Sequence, residues 1–206
     1  MADRDIRTHE VTFCSRVSKW ADSIFEITPA LSFKRTEIEE SKGIKRKRSD
    51  LRVYGANNKV ILAGEVKLPG TAEGRNAYNS ALVDDSYQKA SNIGAEFFFT
   101  WNVNKLVLFD SKLWHLPIME RQVKDYELGL DLDSPDDVSR AEVETQNQKF
   151  LADFFDVSNQ TLKNHAQVTH DSASSERSID VRKGRIEAPG AAPLWCDRWK
   201  SRRHLY

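Results

Sequence analysis

Asp50, Glu65 and Lys67 are the residues whose types and spacing could do chemistry. They bracket Ser49-Asp50-Leu51-Arg52-Val53-Tyr54-Gly55-Ala56-Asn57-Asn58-Lys59-Val60-Ile61-Leu62-Ala63-Gly64-Glu65-Val66-Lys67, which otherwise reads as an ordinary β-hairpin, two apolar runs around an Asn-containing turn. Side chains alternate along a strand, so Glu65 and Lys67 share one face and Val66 points to the other. Two carboxylates and an ammonium at the end of a largely apolar strand are costly unless something uses them. A divalent cation does. Mg²⁺ takes oxygen ligands in an octahedron, commonly one or two carboxylates completed by waters and phosphate oxygens. The Val66 carbonyl, between the two side chains, offers a further oxygen. Lys67 would stand beside the cation, placed to orient or help deprotonate a water and to face developing charge. Taken singly, each residue has a plainer reading: Asp50 begins a strand, and Glu65–Lys67 is a solvent-facing pair on one strand.

Whether the three residues meet depends on the hairpin register. Directly opposed residues of an antiparallel pair point to the same face. A four-residue loop, Gly55–Asn58, pairs Tyr54 with Lys59 and sets Asp50 opposite Ala63. A two-residue Asn57-Asn58 turn sets Asp50 opposite Glu65 itself. Either even loop gathers Asp50, Glu65 and Lys67 on one side, whereas an odd loop moves Asp50 to the other. The expectation is therefore an even turn.

The elements that must carry these residues follow from periodicity. Residues 3–25 read as an amphipathic helix with Ile6, Phe13, Val17, Trp20 and Ile24 on one stripe, closed by Pro29. Glu10 falls within that stripe, four after Ile6 and three before Phe13, so its carboxylate either faces the interior or reaches water from the stripe's edge. A first strand is expected within 30–39, then the hairpin at 49–67 and a Gly/Pro loop from Leu68 to Gly74. A helix over 77–93, broken near Asp84-Asp85 and capped by Gly94, precedes strands at 96–101 and 105–110. A last helix is expected at 138–156. On the middle helix, Gln88 reads either as a site residue or as a capping partner of Asp85, and Lys89 reads as solvent-facing. The aromatic run Phe97–Trp101 reads as core.

Composition bounds the rest. The chain has 206 residues, 39% hydrophobic and 30% charged, which suits one well-buried domain with an appendage. No apolar run is long enough to span a bilayer, and the polar N-terminus does not resemble a secretory signal. Cys14 and Cys196 form no metal or disulfide framework, so a cytoplasmic location is expected. The five histidines show no paired metal spacing, and there is no Gly-rich phosphate loop or nucleophile elbow. Formal net charge is zero, yet Lys42, Lys45, Arg46, Lys47, Arg48 and Arg52 form one basic run and Arg198, Lys200, Arg202 and Arg203 another. Such runs are either solvated faces or grips for a polyanion. From about residue 166 the sequence turns polar and loses its period, as in a loosely docked tail.

Ser49-Asp50 followed by Glu65-Val66-Lys67 resembles the signature of the PD-(D/E)XK nuclease superfamily, which includes many restriction endonucleases and DNA-repair nucleases. The resemblance covers roughly residues 3–110. The stretch GEVKLPG, then a helix, then EFFFTWNVNKLVLFD, is similar to nuclease domains of restriction-modification enzymes. Ser49 stands where the family often has Pro.

The resemblance implies an α/β fold with a restriction-endonuclease-like core, a central mixed β-sheet flanked by helices in the order α-β-β-β-α-β. It implies a nuclease domain over 1–165 with a polar, basic tail over 166–206. The implied activity is a Mg²⁺-dependent DNA endonuclease of restriction, phage-defence type, with Mn²⁺ able to substitute. Asp50, Glu65, Val66 and Glu10 would hold the metal, with Glu37 and Glu39 as competitors of Glu10. Lys67 and Gln88 would complete the catalytic set, and Lys45, Arg46, Lys47, Arg48 and Arg52 would grip DNA. No membrane is implied. Expected partners are DNA, and either a second copy of the chain or a specificity or modification subunit. The rival reading is a non-catalytic DNA- or protein-binding module on the same fold.

Overall fold

The computed structural model describes residues 3–38 and 50–180, with side chains over 6–38 and 50–167. The chain divides by internal contacts into Met1–Asn164 and His165–Tyr206, and the fold below is that of the first unit.

The apolar stripe of the N-terminal segment winds into α1, Asp3–Ile27, and Phe13, Val17 and Trp20 are buried from it. Three antiparallel strands follow as a meander: β1 (Phe33–Ile38), β2 (Leu51–Gly55) and β3 (Val60–Val66). Helix α2, Ser80–Asn92, then crosses over, and β4 (Phe97–Trp101) pairs parallel to β3. Strand β5 (Lys105–Asp110) returns antiparallel. The order α1-β1-β2-β3-α2-β4 is the expected α-β-β-β-α-β core.

Two elements beyond this core were not expected, a short helix α3, Ile118–Arg121, and a sixth strand β6, Gln122–Glu127, on the far edge beside β5. Helix α4 is helical from Ala141 to Asp180, running well past the expected end near 156. Strand β6 hides from a periodicity reading because it is an edge strand. It is half-buried and carries Lys124, Asp125 and Glu127, charges of the kind that blunt an exposed edge. The architecture is a mixed six-stranded sheet in the order β1 to β6, flanked by helices.

The sheet is covered on both faces, which explains why β4 reads as an apolar run broken only by Thr100. Phe97, Phe99 and Trp101 enter one core with α1 and α4, while Phe98 enters a second with α2. The first core is an aromatic mesh. Phe25 meets Phe155 edge-on with ring centres 4.7 Å apart, and Phe13 meets Trp101 at 5.2 Å. Each fully buried large apolar side chain of this kind stabilises the fold by roughly 1.5–3 kcal/mol. Helix α2 is continuous through Asp84-Asp85, where a break was expected. The Asn79 side chain caps it by accepting from the amides of Ala81 and Leu82, and Gly94 follows its end with φ +67°.

The hairpin departs from expectation in one instructive way. Tyr54 pairs with Val60, leaving residues 55–59, an odd number, as the loop. By itself this would carry Asp50 to the wrong face. One residue later the register shifts: Val53 pairs with Leu62, Arg52 with Ala63 and Leu51 with Gly64, so Ile61 is the extra residue of a β-bulge. The bulge cancels the odd loop. One step further out, Asp50 comes level with Glu65, the register that a two-residue turn would have produced. Gly55 lies close under the Ile61 side chain, so a Cβ here would require Ile61 to shift.

Candidate active site

The open end of the hairpin meets helices from both layers. Glu10 and Cys14 reach it from α1, Asp50 from the start of β2, Glu65 from β3, Lys67 and Glu73 from the following loop, and Lys89 from α2. These residues line one cleft of about 560 Å³.

Within it, Oδ2 of Asp50 accepts a hydrogen bond from the Val66 amide at 2.9 Å, which ties the start of β2 to the end of β3. Glu65 is 1% exposed and lies beside Thr100 of β4. Its Oε2 receives the Lys89 ammonium at 2.5 Å, while its Oε1 is buried and makes no hydrogen bond. Lys89 also reaches Asp85, one helical turn earlier, at 2.9 Å. Lys67 stands 3.8 Å from Glu10 and 3.4 Å from Glu73.

The electrostatics follow from burial and from acids facing acids. Burial and then the nearby Asp50 push the Glu65 carboxyl up to about 8, against the opposing pull of Lys89. Burial likewise raises Glu10, with Lys67 partly offsetting it and Asp50 adding to it. Burial disfavours the charge on Lys67, but Asp50, Glu10, Glu65 and Glu73 outweigh it and hold the ammonium protonated well above its usual range. Lys89 is raised in the same way: burial opposes its charge and Glu65 prevails. Burial pushes the Cys14 thiol up, and with like-charged Asp50 nearby it stays a neutral wall of the cleft.

The structure thus brings Glu10, Asp50, Glu65 and Lys67 into one cleft, with Val66 contributing its amide to Asp50. Gln88 is exposed and is absent from the cleft lining; the inward position on α2 belongs to Lys89. The sequence did carry a signal for Lys89: it lies three after Ser86 and seven after Leu82, both buried, and so falls on the inward stripe. Ser86 and Ala90 are small, which lets α2 approach the sheet closely enough for a lysine to reach Glu65. Glu37 lies on β1, where it accepts a hydrogen bond from the Tyr54 hydroxyl, and it does not line the cleft. Arg52 is half-buried on β2 between Glu37 and Ala63. Glu39, Lys45, Arg46, Lys47, Arg48 and the terminal basic cluster lie outside the described residues.

Among the described residues, no three His, Cys, Asp or Glu side chains form a ready-made metal cluster. The cleft nonetheless suits a hard divalent cation on two observations. Glu65 presents a buried carboxylate oxygen with no partner, and its charge is opposed by burial and by Asp50, a repulsion that a cation would relieve.

Neither a protein-family model nor a curated protein matches the sequence. Among solved structures, the type IIG restriction endonuclease BpuSI matches with a TM-score of 0.48 and 12% identity, over 71% of this chain and 16% of that one. The mixed six-stranded sheet flanked by helices is consistent with a restriction-endonuclease-like fold. Among the described residues, no helix is long and apolar enough to cross a membrane.

Proposed function

We propose that this chain is a Mg²⁺-dependent DNA endonuclease that hydrolyses phosphodiester bonds in restriction-type defence. The observation that carries the reading is the convergence of Glu10, Asp50, Glu65 and Lys67 on one cleft, with a buried carboxylate oxygen of Glu65 unpartnered. Asp50 and Glu65, with the Val66 carbonyl and Glu10 beside them, would hold the cation. When bound, Mg²⁺ or Mn²⁺ supplies charge stabilisation at the phosphate and acidifies water.

The chain's own residues do the positioning. The Val66 amide fixes Asp50, and the sheet fixes Glu65. Lys67 stands beside Glu10 and Glu73 at the mouth of the site, where it would face a phosphate oxygen and orient or help deprotonate a water. In this reading residues 1–165 are the nuclease domain and 166–206 its basic attachment. Lys45, Arg46, Lys47, Arg48 and Arg52 grip the DNA backbone, giving affinity that falls with salt and carries no sequence information. Cutting both strands requires two such clefts, as in a homodimer on DNA, or one chain working beside a specificity or modification subunit.

The test is nicking of supercoiled plasmid. Cleavage is expected with Mg²⁺ or Mn²⁺ and none with EDTA. Full activity of Glu65→Ala would overturn the assignment. Retained DNA binding without cleavage under any metal would instead favour the binding-module reading, in which the Glu65–Lys89 pair serves only stability.

A further inference from the structure

We infer that Lys89 is a built-in stand-in for the cation: its ammonium holds Glu65 in the metal-free protein and is retained by Asp85 alone when a divalent cation takes Glu65. The inference rests on the metal-site reading above. Its ground is the double contact of one ammonium, 2.5 Å from Glu65 and 2.9 Å from Asp85 on the same helix. Glu65 is 1% exposed and comes level with Asp50, so its carboxyl can carry charge only beside a positive neighbour, either Lys89 or a cation. Lys89 meets that need without metal. It uses only Oε2 of Glu65 and leaves the buried Oε1 without a hydrogen-bond partner. Asp85 is half-exposed, so its pairing with Lys89 survives loss of the Glu65 contact and keeps the lysine from being stranded. Lys89 is in this sense a positioning residue, and it competes with the cation it prepares for.

Opposite signs in two variants distinguish this role from a merely structural one. Mn²⁺ affinity would be measured by titration calorimetry on the full chain, without DNA. Lys89→Met removes the competitor and should bind Mn²⁺ more tightly, on the order of tenfold. Asp85→Asn removes the second anchor, so Lys89 leaves Glu65 less readily and binding should weaken several-fold. In the Lys89→Met background, Asp85→Asn should have little further effect, because no lysine remains to be retained.

Unchanged or weaker Mn²⁺ binding by Lys89→Met overturns the inference, as does an equal loss from Asp85→Asn in both backgrounds. If Lys89→Met does not fold, wild-type affinity in Asp85→Asn overturns it instead. Wild-type protein that binds no Mn²⁺, or binds it equally with Glu65→Gln, sinks the metal-site reading itself and is thereby distinguished from failure of the competition alone.

Discussion

The two ends of the β2–β3 hairpin obey opposite rules. At the turn end, Gly55, Ile61 and the loop around Asn57-Asn58 are governed by packing and backbone conformation: Ile61 is buried and would have to shift for a side chain on Gly55. At the open end, Asp50, Glu65 and Lys67 are governed by charge, and carboxylates crowd together against their own stability. Yet the turn end sets the geometry of the open one. An odd loop and a one-residue bulge cancel, and only their sum brings Asp50 level with Glu65. Stability and chemistry should therefore separate only under substitutions that leave that register intact.

The largest expected effect lies at the open end. Asp50→Asn keeps an oxygen for the Val66 amide but removes the charge, so plasmid cleavage should fall roughly a thousandfold or more, equivalent to several kcal/mol. Its melting temperature without metal should change little, because relief beside Glu65 is offset by loss of a negative neighbour of Lys67. A large drop in stability would mean that Asp50 is structural after all. At the turn end the pattern should invert. Gly55→Val forces a side chain into Ile61 and should destabilise by about 1–3 kcal/mol, as overpacked cores do. The protein that remains folded should cleave at close to the wild-type rate, measured at a temperature where both are native.

A smaller effect reads the electrostatic cost of the open end directly. Glu65 has a folded-state pKa raised to about 8, so the native state holds a proton that the unfolded chain has already released. Stability from this group is therefore present at low pH and is lost as pH rises from the ordinary carboxylate range through about 8. Metal-free protein should melt progressively lower between those limits, and Glu65→Gln should flatten that slope. Gly55→Val adds and removes no ionisable group, so it should shift the whole curve without changing its shape. A wild-type profile that rises across the same window would contradict the assigned state of Glu65.

Much of this was legible in the sequence, for physical reasons. The α1 stripe, the aromatic run of β4 and the α-β-β-β-α-β order are strong periodic signals, and the Asp50, Glu65 and Lys67 spacing pointed to one cleft. Three features were not legible. Strand β6 is a charged edge strand with weak alternation. The bulge at Ile61 is invisible to a parity count, because an odd loop with a bulge and an even loop without one yield the same register. Lys89 was read as solvent-facing because lysines usually are. Only its place on the inward stripe, three after Ser86, marks it otherwise, and that clue is meaningful only once α2 is known to run unbroken past Asp84-Asp85.

The smallest expected effect returns to the turn. Asn57 and Asn58 both adopt positive φ, 60° and 57°, the left-handed region that asparagine tolerates and glycine enters freely. Relief of that strain in Asn57→Gly is offset by the greater freedom of glycine in the unfolded chain, so stability should change by less than about 0.5 kcal/mol. Asn57→Val has no such compensation and should destabilise by about 1–2 kcal/mol, since a β-branched residue resists that conformation. Neither variant changes the number of residues in the loop or the bulge, which together set the register, so neither should alter Mn²⁺ affinity or cleavage. If Asn57→Val reduced metal binding along with stability, loop conformation as well as loop length would govern the register. The separation of stability from chemistry along this hairpin would then fail.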